Sequence, residues 1–298
     1  MGAYFPHLAR VNTDFSPAYL QRELQLMADS RPQVVFLGDS VLWGFRVKPE
    51  QTAIAILGSR GCRCENLSFK ASSPPNYYAL TRLMARNGVR PQLVVLEIDQ
   101  RVLNQANSAY ATLHPAVAKL AGPLLSPADR KMLAIGVNEN GLQDTLGRIA
   151  SSSSLLYAMR SDIQEVLAPP PDIVASQHPT ADMFEGEYDL SPLSEQNVGL
   201  RYLEKTAGDL REAHIPVLAF MTPTNHALLH DYIDGPEYQS NVRYLQKMLE
   251  QRGARVLNLD RAFPGDDFFD NAHLRPAAQV RLAHLLQRAM RVYTAAPL

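Results

Sequence analysis

This sequence has almost no net charge, few cysteines and no long apolar run. Its 298 residues hold 29 basic and 30 acidic side chains, for a formal net charge of −1. The lack of a basic block or of basic–aromatic interleaving disfavours a nucleic-acid binder. No apolar run approaches the roughly 20 residues that a membrane span needs. The first ten residues, MGAYFPHLAR, contain no apolar h-region of a signal peptide, which leaves the cellular compartment open.

The chain has two cysteines, Cys62 and Cys64, which are separated by one residue. Within a strand both side chains would point to the same face, and a bridge between them would be strained. We therefore predict two core thiols rather than a disulfide or a metal site.

Five short apolar runs alternate with segments of helical periodicity. The runs are QVVFLGD (33–39), CENLSF (64–69), QLVVLEID (92–99), IPVLAFMTP (215–223) and ARVLNLD (254–260). Strands that are apolar on both faces and separated by helices are typical of a parallel sheet covered by helices on each side. Capping residues, prolines and glycines predict helices that begin at Ser16 and near Pro276 and helices that end at Gly88 and Gly253. The sequence thus predicts an α/β, doubly wound parallel sheet.

The connection between the third and fourth runs is unusually long. About 115 residues separate these runs, far more than a βα crossover needs. We predict a single domain over residues 1–298, with residues 104–196 as an inserted helical and loop subdomain. An insertion at the carboxyl end of a parallel strand lies at the edge where ligands bind, which fits a lid or specificity subdomain. A purely structural helical annex fits equally well.

One serine stands where the first predicted strand passes into a helix. In VVFLGDSVLWGF (34–45) the residues Gly38-Asp39-Ser40 follow the apolar run directly. A serine hydroxyl is a weak nucleophile until a base takes its proton, and that base needs an orienting carboxylate. Near the other end of the chain, Asp270 and His273 lie three residues apart in DNAHL, just before the last helix. The chain order Ser, Asp, His is one of those in which this chemistry occurs.

Each of these residues alone has an ordinary structural interpretation. A Gly-Asp-Ser sequence is a common turn with an N-cap, and a lone aspartate or histidine is most often solvated. Together they follow the first and the last strand of a parallel sheet, whose carboxyl edge brings them to one place. The N–H of Ser40, at a helix N-terminus, would face a developing oxyanion. This chemistry requires no metal and no organic cofactor.

These motifs resemble those of the SGNH or GDSL hydrolases. The match consists of FLGDSVLWG (36–44) and DNAHL (270–274). The resemblance implies a flavodoxin-like, three-layer αβα sandwich. It also implies that Ser40 is the nucleophile, His273 the base and Asp270 the partner of the base.

Two middle blocks depart from the pattern of that family. Where the family has a glycine whose N–H helps to form the oxyanion hole, ENLSFKASS (65–73) offers Ala71 or Ser68. Where the family has an asparagine amide, LEIDQRVLN (96–104) has Arg101, so Gln100 or Asn104 would replace it, or one donor is missing. Loss of one such donor typically costs on the order of 10²–10³ in rate, which predicts a weak hydrolase.

The layout is also similar to that of the extracytoplasmic SGNH-like proteins that work beside membrane-bound O-acyltransferases, in D-alanylation and alginate O-acetylation. The shared features include the long insertion, TPTN (222–225) and FFDNAHL (268–274). This resemblance implies an acylated glycan or polymer as substrate and a membrane-bound O-acyltransferase as partner. It further implies an extracytoplasmic, periplasmic location, while a membrane anchor and a cytoplasmic location both stay open.

Four further residues have a structural and a functional interpretation each. Asn225 would lie at the mouth of the site and bind substrate, but Thr224-Asn225 is also an ordinary turn. Trp43 would line an acyl pocket or pack in the core. His226 and His230 share one helix face, yet no third metal ligand is evident, so we predict structural or solvated histidines.

The function predicted from these residues is a serine-dependent acyl ester hydrolase or O-acyltransferase that acts on a cell-envelope glycan or polymer. Two alternatives stay open: a free soluble esterase of small esters, and a catalytically weak scaffold or binding partner of a membrane acyltransferase. An unrelated flavodoxin-like binding module would leave the pairing of Asp270 with His273 unexplained.

Overall fold

A five-stranded parallel sheet forms the centre of the molecule. The computed structural model describes residues 15–104, 108–133, 179–184 and 186–293. The strands are β1 (Val34–Leu37), β2 (Cys64–Asn66), β3 (Leu93–Ile98), β4 (Val217–Met221) and β5 (Arg255–Asn258). Their order is β2-β1-β3-β4-β5, the flavodoxin-like arrangement. Each strand lies within one of the five predicted runs, so the predicted α/β fold is confirmed.

Burial along the strands explains why the runs are apolar. β1, β3 and β4 are buried over their whole length because helices cover both faces of the sheet. The edge strands β2 and β5 are only partly buried. The carboxyl ends of the three central strands therefore lie side by side between the two helical layers. The loops that follow these strands form one edge of the sheet.

Ten α-helices are assigned within the described ranges. They are α1 (Pro17–Ser30), α2 (Ser40–Trp43), α3 (Ala53–Ser59), α4 (Pro74–Arg86), α5 (Pro115–Ala121), α6 (Pro127–Met132), α7 (Val198–Glu212), α8 (His226–Ile233), α9 (Pro236–Gln251) and α10 (Pro276–Met290). The Ser16 hydroxyl accepts the N–H of Tyr19 and caps α1, as predicted. Gly88 and Gly253 take positive φ values just after α4 and α9, which is why those helices end there. No helix in these ranges has the length and apolarity to cross a bilayer.

Two hydrophobic cores make the fold three-layered. One core joins side chains of α1, α4, α5, α7 and α9 to one face of the sheet. The other joins α3 and α10 to the opposite face. This is the αβα sandwich that the sequence resemblance implies.

The described part of the predicted insertion, residues 104–196, packs into the first core. Val117 and Ala121 of α5 are buried there, and so are Leu125 and Leu133 on either side of α6. Residues 134–178, about half of the predicted insertion, lie outside the described residues. Within the described portion, α5 and its neighbours serve the common core.

Cys62 and Cys64 form a disulfide, so the prediction of two free thiols was wrong. The prediction assumed that both residues lie in one strand. In the structure β2 begins at Cys64, and Cys62 lies in the preceding turn, directly after Gly61 with its φ of 93°. The turn brings the two Cα atoms to 5.2 Å, within the range of roughly 4.4–6.8 Å that disulfides adopt.

Candidate active site

Ser40, His273 and Asp270 meet at the carboxyl edge of the sheet. Ser40 opens α2 three residues after the last residue of β1, and the other two lie in the loop between β5 and α10. The Oγ of Ser40 is 2.9 Å from Nε2 of His273. Nδ1 of His273 is 2.9 Å from each carboxylate oxygen of Asp270. The three groups thus form a continuous chain of hydrogen bonds from hydroxyl to imidazole to carboxylate.

A tight turn explains how Asp270 reaches the ring of His273. The Asp270 carboxylate accepts the N–H groups of Ala272, at 3.1 Å, and of His273, at 2.9 Å. The N–H of Phe269 donates to the carbonyl of His273 at 2.8 Å and closes the turn. The carboxylate is therefore fixed on the side of the turn where the imidazole lies.

The surroundings of Asp270 keep its carboxyl group ionised. Burial alone would raise its pKa, but hydrogen bonds from the His273 ring and from the N–H groups of His273 and Ala272 outweigh burial and lower the pKa to about 2. The guanidinium of Arg46 lies 3.3 Å from the same carboxylate. An ionised Asp270 holds the proton of neutral His273 on Nδ1, which leaves Nε2 free to accept the proton of Ser40.

Two backbone N–H groups beside the nucleophile are candidates for an oxyanion hole. Among the described residues, the N–H groups of Ser40 and Ala71 have no acceptor. Ala71 has a φ of 59°, the left-handed conformation that favours the glycine expected at this place in the family. The N–H of Ser68 donates to the side chain of Asn66 at 2.9 Å instead. Of the two residues that the sequence left open, Ala71 is therefore the candidate donor.

The third block has Arg101 where the family pattern calls for a side-chain amide. Arg101 turns away to pair with Asp99, with Nε at 2.9 Å. Nδ2 of Asn104 donates to the carbonyl groups of residues 186 and 187, at 2.6 and 3.1 Å. The amide of Asn104 thus bonds to carbonyl groups of the protein, and its role as an oxyanion donor stays a prediction. Gln100 is half-buried at the start of the one-turn helix Gln100–Leu103 and stays a prediction.

The order of the strands and the contacts of Ser40, His273 and Asp270 are those that the resemblance of the motifs to SGNH hydrolases implies. Similar solved structures are a putative lipolytic protein of the G-D-S-L family from Desulfitobacterium hafniense (10% identity, 86% of this chain and 97% of that chain, TM-score 0.43), TesA (13%, 88% and 99%, 0.44), and a GDSL-like lipase from Bacteroides thetaiotaomicron (10%, 94% and 100%, 0.47).

Comparison of sequences adds less. A protein-family model matches residues 191–291, a segment that contains Asp270 and His273 but not Ser40. No curated protein matches the chain. The TM-scores of the similar structures are below 0.5, and the chemistry of the site follows from the contacts of Ser40, His273 and Asp270 alone.

Asn225 supports the loop that carries Asp270 and His273. Its Nδ2 donates to the carbonyl of Asp270 at 2.9 Å, and its Oδ1 accepts the N–H of Leu228 at 3.2 Å, which caps α8. Its own N–H donates to the carbonyl of Asn271 at 2.9 Å. Both polar atoms of its buried amide thus have partners within the protein, and the binding of substrate by Asn225 stays a prediction.

An aromatic side chain with two cations borders the imidazole. The ring of Phe45 lies 4.7 Å from the ring of His273 and 6.4 Å from that of Trp43. The Nζ of Lys70 and the Cζ of Arg46 lie 5.1 and 5.3 Å from the Phe45 ring centre. The rim next to the base is therefore apolar and positively charged. Trp43 is half-buried behind Phe45, and its place in an acyl pocket stays a prediction.

His226 and His230 differ in their surroundings. Nδ1 of His226 is 2.8 Å from Asp234 and Nε2 is 3.0 Å from Asp260, so carboxylates take both ring nitrogens. Burial lowers the pKa of His226, but these hydrogen bonds outweigh burial and raise it. His230 is exposed beside Asp231. His226 is thus a structural histidine and His230 a solvated one, as predicted.

Two acidic residues near the site were missed from the sequence. Glu187 lies outside the regular elements, in the segment before α7, and its Oε2 accepts Nδ2 of Asn271 at 2.7 Å, next to Asp270. The same carboxylate lies 3.6 Å from Arg101. Nothing in the sequence pattern indicates these contacts. Glu97, by contrast, is an acidic residue inside the apolar run 92–99, and this feature of the sequence could have indicated a buried acid.

Proposed function

We propose that the chain is a serine-dependent acyl ester hydrolase or O-acyltransferase that acts on an acylated cell-envelope glycan or polymer. The observation that carries the proposal is the hydrogen-bond chain Ser40–His273–Asp270, in which each link is 2.9 Å long. Such a chain gives a hydroxyl a base and gives that base an ionised partner, which is the requirement for a serine nucleophile.

The reaction follows from the placement of these groups. Nε2 of His273 takes the proton of Ser40 while Oγ attacks the carbonyl carbon of the ester, and the negative charge moves to the carbonyl oxygen. The free N–H groups of Ser40 and Ala71 are the donors available to that oxyanion. The imidazolium, stabilised by Asp270, then protonates the leaving alcohol, and the acyl group stays on Oγ.

A second alcohol or water completes the cycle. His273 removes its proton, its oxygen attacks the acyl carbon, and Oγ leaves with the proton from the imidazolium. Water as the acceptor gives hydrolysis, and a sugar hydroxyl gives transfer. The acceptor that is held next to the ester decides between the two outcomes.

The proposed substrate is a polymer, the proposed partner is a membrane-bound O-acyltransferase, and the proposed location is extracytoplasmic. Lys70, beside Phe45, provides a positive charge at the rim that would attract an anionic polymer, whereas Arg46 is paired with Asp270. The membrane-bound O-acyltransferase partner and the extracytoplasmic, periplasmic location are supported by the similarity of TPTN and FFDNAHL to proteins that work in that setting.

Covalent labelling tests the nucleophile directly. The protein is incubated with a fluorophosphonate, and its intact mass is measured for the wild type, Ser40→Ala, His273→Ala and the control Ser59→Ala, which removes an exposed hydroxyl on α3. We expect one adduct at Ser40 in the wild type and in Ser59→Ala, and none in the other two. An adduct that persists in Ser40→Ala would refute the assignment.

A scaffold with little catalysis is the second candidate, and the bonds of Arg101 to Asp99 and of Asn104 to a backbone carbonyl favour it. Turnover of p-nitrophenyl acetate, with and without an added glycan acceptor, separates the possibilities. Release of acetate favours the hydrolase, acetylated glycan favours the transferase, and turnover no faster than that of Ser40→Ala favours the scaffold.

A further inference from the structure

An acidic side chain lies inside the sheet directly behind the nucleophile. Glu97 belongs to β3, where every residue is buried, and its own side chain is fully excluded from solvent. Its Oε2 accepts the N–H of Asp39 at 3.0 Å and the N–H of Leu42 at 3.1 Å. These two groups belong to residues on either side of Ser40. One oxygen atom of β3 thus fixes the backbone of the turn that presents the nucleophile.

The glycine of the Gly-Asp-Ser motif makes room for this contact. A Cβ on Gly38 would come within 2.3 Å of Oε2 of Glu97 and within 2.8 Å of Cδ1 of Leu42. No side chain fits there without moving the carboxyl group. Gly38 and Glu97 are therefore matched, since the first has no side chain where the second must reach the turn.

We propose that Glu97 is a positioning residue that holds Ser40 in the orientation from which His273 takes its proton. This inference rests on the proposed role of Ser40 as nucleophile. Glu97 acts through the backbone of the turn, since its contacts are with N–H groups and not with Oγ.

The charges around Glu97 explain why it is neutral. Its carboxyl group and those of Asp39 and Asp99 lie within 4.8 Å of one another in the buried interior. The cation that faces them, Arg101, is already paired with Asp99. Burial, followed by the charge of Asp39, raises the pKa of Glu97 well above its usual range. Oε1 of Glu97 has no hydrogen-bond partner among the described residues. The same is true of the buried hydroxyl of Tyr77 on α4.

The test compares Glu97→Gln with Glu97→Leu. Glutamine keeps a neutral group with an acceptor oxygen, whereas leucine keeps much of the volume and removes the acceptor. We expect Glu97→Gln to react with the fluorophosphonate within about threefold of the wild-type rate. We expect Glu97→Leu to react about 100-fold more slowly, because a misplaced nucleophile loses the alignment that the turn provides. With p-nitrophenyl acetate the loss should fall on kcat and leave KM nearly unchanged.

Several results would overturn the inference. Labelling of folded Glu97→Leu at the wild-type rate would mean that Glu97 only stabilises the fold. A loss in Glu97→Gln equal to that in Glu97→Leu would mean that an ionised carboxylate is required. Loss of labelling after treatment of the wild type with EDTA would mean that a cation, and not a proton, balances the three carboxyl groups.

Gly38→Ala provides an independent perturbation if Glu97→Leu does not fold. The added methyl displaces the carboxyl group without removing it, and we expect a labelling rate at least tenfold below wild type. An unchanged rate in Gly38→Ala would contradict the inference. If the wild type itself is not labelled, the proposed function of Ser40 fails. If the wild type is labelled and these variants match it, the role of Glu97 alone fails.

Discussion

Replacement of Asp270 by asparagine is the sharpest test of the triad, because it replaces one carboxylate oxygen by an NH2 group of nearly the same size and so removes the charge but not the shape. An amide at this position can donate its N–H to Nδ1 of His273, so the ring proton moves to Nε2. A protonated Nε2 cannot accept the proton of Ser40. We expect the rate of fluorophosphonate labelling to fall on the order of 10⁴-fold, the size of effect that the wrong tautomer has in a triad of this kind.

The same change has a pH-dependent effect on stability. The pKa of Asp270 falls from 3.8 to about 2 on folding. Because the folded-state pKa is depressed, the stabilisation is complete above pH 4 and is lost as the pH falls through 2. A difference of this size corresponds to about 2 kcal/mol at pH 7, of which about half is gone at pH 3.

Urea unfolding of wild type and Asp270→Asn at pH 7 and pH 3 measures this difference, since every other carboxyl group titrates in both proteins. The gap between the two unfolding free energies should shrink by about 1 kcal/mol from pH 7 to pH 3. The control is Asp234→Asn, which also alters an aspartate bonded to a histidine but lies outside the triad, and it should label normally. A gap that is the same at both pH values would refute the reasoning about Asp270.

Three further predictions concern the parts around the triad. Asn225→Ala should cost about 1 kcal/mol of stability through the lost cap of α8, and should slow labelling about tenfold through the freed catalytic loop, as measured by urea unfolding and adduct kinetics. Ala71→Gly should leave the labelling rate unchanged and the unfolding free energy within about 1 kcal/mol, because the N–H stays and the positive φ suits glycine. Reduction of the disulfide should leave the rate unchanged, because Cys64 pairs with Val34 at the amino end of the strands, away from Ser40; a slower rate would contradict that placement.

The sequence was sufficient for the sheet because a strand buried on both faces has to be apolar throughout. The run 92–99 contains β3 (Leu93–Ile98) with an error of one residue at each end. The convergence of Ser40 with His273 was also predictable, since the loops after parallel strands share one edge.

Side-chain amides and turns were harder to predict, because their partners come from distant parts of the chain. Asn104 and Asn225 were assigned to the oxyanion and the substrate, yet both bind carbonyl groups that only the folded loops bring near. The disulfide depends on a bend before Cys64 that residue types do not indicate. Glu97 could have been found, because a lone acid in a run buried on both faces needs partners inside the protein.

The contact between Ser40 and His273 joins residues that are 233 positions apart in the chain. Closing so long a loop is slow compared with forming local helices, and β3 and β4, which lie between β1 and β5 in the sheet, must be paired before the two side chains can meet. Catalytic competence should therefore return late during refolding, after most of the helical signal. The rate at which fluorophosphonate labelling of Ser40 recovers would then report on the late folding step that brings the loops after β1 and β5 together.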